Sequence, residues 1–277
     1  MMNLLQAIIM GLVQGATEFL PVSSSGHLVL TKSLLGVHAE GVLWEVGLHL
    51  GTLAAVILVF RRDLRDVIVG FCSALAALAR GSAWKTLWDE RPGFRLACGV
   101  ILGTFPAALI GVAFKHYIEG LFANPLVTAA MLFVTGEILW LSRPHSLLRP
   151  DRGVGLRDSL WIGIAQAVAL VPGISRSGAT ISVGLMCDVN RDQAARFSFL
   201  LSVPAILGAS VLEFMKISGP QPAEIFPLLI GVCTAAVVGY IALRILLRVV
   251  RAGRLHSFAY YCWGVSVLSL AYFWAAH

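Results

Sequence analysis

The chain has 277 residues, 58% of them hydrophobic and only 13% charged, with a mean hydropathy of +0.83. A soluble domain carries about a quarter charged residues, so the composition excludes an ordinary soluble enzyme and points to an integral membrane protein. The net charge of +6 could suit nucleic acid, but 17 of the 21 Lys and Arg fall in four clusters, 61–95, 143–157, 191–196 and 244–254, that flank apolar runs. Cytoplasmic loops of membrane proteins carry that bias, so no nucleic-acid partner is expected.

In chain order, the first apolar segment, 3–36, has no basic region ahead of it and is interrupted by Gln14 and Glu18. It is a poor signal peptide and is expected to stay in the mature protein. Within it runs EFLPVSSSGHL, Glu18–Leu28, a concentration of polar groups that burial in lipid cannot explain. Apolar runs of spanning length follow at 42–60, 96–114, 125–142, 194–214, 225–247 and 257–275, each near the roughly 20 residues that a helix needs to cross the hydrocarbon.

The run 42–60 carries Glu45 and His49 at i, i+4 in its outer part, and intramembrane charges are site candidates by default. Glu137 and Glu213 stand near helix ends, where they can snorkel. Arg244, Arg248, Arg251 and Arg254 form a basic face for anionic lipid heads, and Trp140, Trp161, Trp263, Tyr272 and Trp274 fit interfacial belts. The five cysteines, Cys72, Cys98, Cys187, Cys233 and Cys262, are scattered without C-x-x-C spacing, so they read as apolar filler rather than disulfides or a zinc site.

An internal repeat organises the chain. Shifted by 152 residues, GLVQGATEFLPVSSSGHLVL (11–30) falls on GIAQAVALVPGISRSGATIS (163–182) without a gap. Gly11 meets Gly163, Gln14 meets Gln166, Ser23 meets Ser175, Ser25 meets Ser177 and Gly26 meets Gly178. A second match, at a shift of 128, sets GTFPAALIG (103–111) on GVCTAAVVG (231–239). Repeat one is expected over 1–142 and repeat two over 157–277, joined by a cytoplasmic linker, 143–156, in a single membrane domain.

The basic clusters place 61–95, 143–157 and 248–255 inside, with both termini and the segments around 37–41, 115–124 and 215–224 outside. The second repeat segment, 158–187, must then enter and leave on one side, and by symmetry 3–36 does the same from the other. The expected fold is all-α and integral to the membrane, an inverted-topology repeat with about six spanning helices and two re-entrant helical hairpins. Irregular backbone at membrane depth is tolerated where it is buried in protein or lines a wet cavity, and inverted repeats with broken helices meeting near the midplane build such a place.

The first break brings Gln14, Glu18, Ser23, Ser24, Ser25, Gly26 and His27; the second brings Gln166, Ser175, Arg176, Ser177, Gly178 and Thr180. Each serine-rich turn precedes a new helix whose free N–H groups attract anions, and Arg176 adds a fork suited to phosphate. A Glu18–Arg176 ion pair alone would leave the hydroxyl run and the histidine unexplained. An anion site with a nucleophile and an acid–base group explains all of them.

VQGATEFLPVSSSGHL and LVPGISRSGATIS, with EVGLHLGTLAAV (45–56) between them, resemble the undecaprenyl-diphosphate phosphatase family of bacteria, the bacitracin-resistance type, over essentially the whole chain. The resemblance implies a membrane enzyme that removes one phosphate from undecaprenyl diphosphate and recycles the lipid carrier of cell-wall glycans. It implies Glu18 as the catalytic glutamate, Ser24 as a proposed nucleophile, His27 as the histidine and Arg176 as the phosphate-binding arginine. Many members carry a second glutamate where this chain has Gln14, which places the acid–base burden on Glu18.

The expected reaction is hydrolysis of the terminal phosphate. Ser24 attacks, His27 or Glu18 takes its proton, and Arg176 and the backbone N–H groups of the breaks hold the phosphate; His27 as nucleophile is the competing assignment. Gln14, Ser23, Ser25, Gly26, Ser175, Ser177, Gly178 and Thr180 are the expected substrate-binding residues. Mg²⁺ or Ca²⁺ is the expected cofactor, with Glu18 its protein ligand. Partners are the polyprenyl diphosphate and membrane lipids, with a homodimer left open, and the location is the bacterial inner membrane with the site opening to the periplasm. The rival reading is a flippase for undecaprenyl phosphate or a related anionic lipid, which would not require a nucleophile. A lipid phosphatase of the P-S-G-H and S-R-x₅-H class is excluded because Ser182 stands where its histidine belongs.

Overall fold

The computed structural model describes residues 3–35, 42–81, 83–147, 151–214 and 222–275. Residues 36–41, 148–150 and 215–221, Lys216 among them, lie outside the described residues. The described residues fold entirely as helices and their connections. In the first half these are α1 (Leu4–Phe19), α2 (Ser24–Leu35), α3 (Val42–Val59), α4 (Arg61–Ala79), α5 (Trp84–Glu90), α6 (Pro92–Ala113), α7 (Lys115–Phe122) and α8 (Pro125–Leu141). Then come α9 (Arg143–Leu147), α10 (Leu156–Val168), α11 (Arg176–Met186), α12 (Arg191–Phe214), α13 (Pro222–Arg251) and α14 (Phe258–Ala275).

Helices α6, α12, α13 and α14 (counted with the turn before it) are each long and apolar enough to cross a membrane. Two bent pairs, α3 with α4 at 82° and α7 with α8 at 97°, bring the possible spans to six. The protein is a multi-pass helical membrane protein. Helix α1, by contrast, has 16 residues, about 24 Å at 1.5 Å per residue, short of the ~30 Å hydrocarbon core. With α2 it forms a hairpin, and α10 with α11 forms the second.

The first arm of each hairpin packs on a spanning helix of the other half: α1 lies against α13, and α10 against α6. Glycine makes these crossings possible. A Cβ added to Gly11 would stand 2.5 Å from the carbonyl oxygen of Gly231, and one added to Gly163 would overlap the carbonyl oxygen of Gly103. These are mates, since the 152 shift relates Gly11 to Gly163 and the 128 shift relates Gly103 to Gly231. The two halves are therefore interlocked rather than side by side. Helices α8 and α14 also pack together across the halves.

The stretch 61–95 departs from the expected basic loop, because it is largely helical. Helix α4 folds back from α3, and Ala74, Leu87 and Phe94 close a small core of their own with it. Arg61, Arg62 and Arg65 are exposed on the first turns of α4, followed by the exposed Ile68 and Val69, and charge counting reads such a basic stretch as loop. In the linker, Arg152 donates to both oxygens of Asp158, at 3.0 and 2.8 Å, and its carbonyl accepts from Asn190. That strap pins the start of α10.

Candidate active site

The first break begins where Pro21 disfavours helix in the residue before it: Leu20 leaves α1 with φ −60° and ψ 142°. Ser23 then takes φ 66°, a left-handed conformation that costs a non-glycine residue about 1–3 kcal/mol. The second break turns instead at Gly173, with φ 94°. Both breaks close in the same way. Ser23 Oγ accepts from Gly26 N at 3.2 Å and lies 3.2 Å from Ser25 Oγ. Ser175 Oγ accepts from Gly178 N at 3.1 Å and lies 3.2 Å from Ser177 Oγ.

The two breaks meet. A Cβ on Gly26 would stand 3.5 Å from Gly173 Cα, and one on Gly178 would stand 3.3 Å from Pro21 Cβ. Phe19, fully buried, anchors the end of α1 by an edge contact with Phe199 at 5.8 Å. The neighbouring residue, Glu18, is thereby held at the junction.

Glu18 is the hub. Ser24 Oγ donates to its Oε2 at 2.6 Å and Gln14 Nε2 donates to the same oxygen at 3.1 Å. The Arg176 guanidinium, from the other hairpin, donates to Oε1 at 2.5 Å. His49 Nε2 stands 3.8 Å from Oε2. The carboxylate is 6% exposed and the guanidinium 17%, so the pair is desolvated on one side and faces a cavity on the other.

That cavity, about 340 Å³, has a polar wall of Glu18, Ser23, Ser24, Ser25, His49, Gln166, Ser175 and Arg176. Ala107, Phe122, Leu170, Ala205, Ile206 and Ala209 form an apolar wall beside it. A hydroxyl hydrogen-bonded to a carboxylate, with a guanidinium beside it, has the chemistry to serve as nucleophile, base and anion binder. The apolar wall suits a hydrocarbon chain attached to the anion.

Other residues grouped from the sequence lie elsewhere. Gln14 sits behind Glu18, fully buried, with its Oε1 unpartnered. Gly26, Ser177 and Gly178 shape the breaks from behind. Thr180 turns toward α12, where its hydroxyl meets Ser198 Oγ at 2.5 Å. His27 does not line the cavity: its Nδ1 is 2.9 Å from Ser23 O, its Nε2 is 2.8 Å from the Tyr261 hydroxyl, and its ring stacks on Tyr261 at 5.6 Å. The histidine that faces Glu18 is His49. The i, i+4 pair with Glu45 marked it in the sequence, whereas nothing there marked Tyr261.

Both Glu18 oxygens are engaged by Ser24, Gln14 and Arg176, and no group of three His, Cys, Asp or Glu able to hold a metal occurs among the described residues.

Interlocked inverted repeats enclosing a desolvated Ser–Glu–Arg cleft define a membrane protein built to bind and process an amphiphilic anion. The chain belongs to the family described as Bacitracin resistance protein BacA, whose model matches residues 7–268. It is 41% identical over 271 residues to an undecaprenyl-diphosphatase of Desulforapulum autotrophicum, covering 97% of this chain and 98% of that protein. It is 43% identical over 266 residues to one of Desulfosudis oleivorans, covering 94% and 95%. The undecaprenyl-diphosphatase of Methanobrevibacter smithii is 41% identical over 269 residues, 96% of each chain.

Proposed function

We propose that this protein is an inner-membrane undecaprenyl-diphosphatase, hydrolysing undecaprenyl diphosphate to undecaprenyl phosphate and inorganic phosphate, and so returning a cell-wall lipid carrier to use. The observation that carries the reading is the convergence on Glu18 of the Ser24 hydroxyl from one hairpin and the Arg176 guanidinium from the other. Ser24 Oγ attacks the terminal phosphorus while Glu18 accepts its proton. Arg176 turns part of its fork from Glu18 to the phosphate oxygens, where it stabilises the charge that develops there. Backbone N–H groups at the start of α2 and α11 complete the phosphate cradle. The prenyl chain lies along the apolar wall.

In this reading Glu18 would be the protein ligand of a Mg²⁺ or Ca²⁺ ion, which would supply charge neutralisation for the substrate's diphosphate. The cleft opens to the periplasm. Glu45, Phe122 and Glu213, which line it, stand at the helix ends opposite the basic clusters, which the positive-inside rule assigns to the cytoplasm.

The test is phosphate release from undecaprenyl diphosphate by the purified protein and by Ser24→Ala. Turnover should vanish in the variant while substrate binding stays near wild type, and Ser23→Ala and Ser25→Ala should lose less. Near-wild-type kcat in Ser24→Ala, with His27→Ala inactive, would move the nucleophile to His27.

A further inference from the structure

A two-step phosphatase needs two bases, or one base used twice. In the reading proposed above, Glu18 holds the Ser24 proton once the phosphoserine has formed, so it cannot also deprotonate the incoming water. The second base must be another group beside Glu18 with a free lone pair.

His49 is placed for that task. It lines the cavity from α3, and its side chain is 34% exposed. Its Nδ1 lies 2.8 Å from the backbone carbonyl of Glu45. A carbonyl oxygen only accepts, so Nδ1 carries the proton and Nε2 of the neutral ring keeps its lone pair. Nε2 is the atom 3.8 Å from Glu18 Oε2, the oxygen that holds the Ser24 hydroxyl. His27 offers no such lone pair, since its Nδ1 is likewise tied to a carbonyl and its Nε2 is taken by the Tyr261 hydroxyl. Among the cleft's carboxylates, Glu213 is engaged by Lys115 at 2.9 Å.

We infer that His49 is the base that deprotonates the water which cleaves the Ser24 phosphoester, an inference that rests on Ser24 being the nucleophile. In the first step the Ser24 Oγ–phosphorus bond forms and the bond from phosphorus to the bridging oxygen breaks. The leaving undecaprenyl phosphate takes the electron pair, and the serine proton passes to Glu18. In the second step the water oxygen bonds to phosphorus, and its proton passes to His49 Nε2. The phosphorus–Oγ bond breaks, and Oγ recovers its proton from Glu18. Inorganic phosphate departs, and His49 returns its proton to the water of the open cleft.

The test is acid-quenched single turnover on undecaprenyl diphosphate radiolabelled in its terminal phosphate, with wild type, His49→Gln and His49→Ala. His49→Gln should form phosphoserine at close to the wild-type rate and accumulate it. Its steady-state turnover should fall by ~100-fold or more, the contribution of a positioned general base. Added imidazole should restore part of the turnover of His49→Ala, a response that a merely structural role would not give. Wild-type turnover in His49→Gln would overturn the inference, and so would equal slowing of phosphoserine formation and breakdown. If neither wild type nor His49→Gln yields phosphoserine, yet imidazole rescues His49→Ala, then Ser24 fails as nucleophile and His49 stands as the base for direct attack by water.

Discussion

Replacing Arg176 by Gln would leave the Glu18 carboxylate, 6% exposed, with the neutral donors Ser24 and Gln14 and no guanidinium. Breaking a buried ion pair from one side costs about 3–5 kcal/mol, because the remaining charge stays desolvated. At ~2–4 °C per kcal/mol for a protein of this size, the Tm should drop by roughly 6–20 °C. Glu18→Gln is milder, since Arg176 is 17% exposed and can turn to the water of the cleft; a loss of about 1–2 kcal/mol is expected. In the double variant two neutral amides can hydrogen-bond where the ions stood, so the two losses should not add, and a coupling of about 2–3 kcal/mol is expected. All three variants should be inactive. Arg176→Lys keeps the charge and most of the stability but loses the fork, and should cut kcat/KM at least ~10-fold, ~1.4 kcal/mol. Thermal unfolding in detergent and phosphate release measure both axes. Additive Tm losses, or full activity in Arg176→Lys, would refute the account of the pair.

Gln14→Glu sets two carboxylates one turn apart on α1, a repulsion that a divalent cation relieves; the variant should stay active but depend more steeply on Mg²⁺ or Ca²⁺ in the release assay, while Gln14→Ala keeps partial activity. Gly163→Val should destabilise by at least ~1–3 kcal/mol, the cost of overpacking, because its branched side chain meets the Gly103 backbone. Gly120→Ala, where an added Cβ meets nothing within 4 Å, should melt like wild type. In a background freed of Cys72, Cys98, Cys187, Cys233 and Cys262, a cysteine at Gly120 should react with impermeant reagent from the periplasm and one at Gly153 should not; labelling of Gly153 from that side alone would overturn the orientation.

The spanning runs and the two helix breaks were legible because each rests on a local rule: apolar length for the spans, and proline, glycine and serine runs for the breaks. The interlocking was written in the sequence only indirectly. Gly11, Gly163, Gly103 and Gly231 stood out as two separate matches, and their pairing across the halves requires the fold. The helical state of 61–95 was hidden because a helix that carries arginines and a basic loop share a charge count. Side-chain direction was the other blind spot. His27 and His49 both neighbour polar residues in the sequence, but which one faces Glu18 depends on how α2 and α3 are rotated about their axes. Thr180 was grouped with Arg176 by proximity in the chain, although on α11 it points to Ser198.

The repeat explains how such a site is held and why its chemistry is lopsided. The scaffold obeys the 152-residue shift closely: Ser23 and Ser175 close their breaks with matching bonds, and the glycine crossings correspond. The polar groups that meet at Glu18 do not. Ser24 has Arg176 as its mate, and Glu18 has Leu170. Two identical hairpins would oppose serine to serine or arginine to arginine, and the latter would put two cations together in a desolvated cleft. Divergence at one pair of mates instead sets a hydroxyl against a guanidinium, and the change at a second leaves one carboxylate to serve both. The Leu170 side of that pair belongs to the apolar wall, where a lipid tail needs no charge. Glu18 can therefore be held from one side by its own hairpin, through Ser24 and Gln14, and from the other by Arg176. A phosphate entering between the halves would meet the Ser24 hydroxyl on one lip and the Arg176 guanidinium on the other, and neither lip alone contains both.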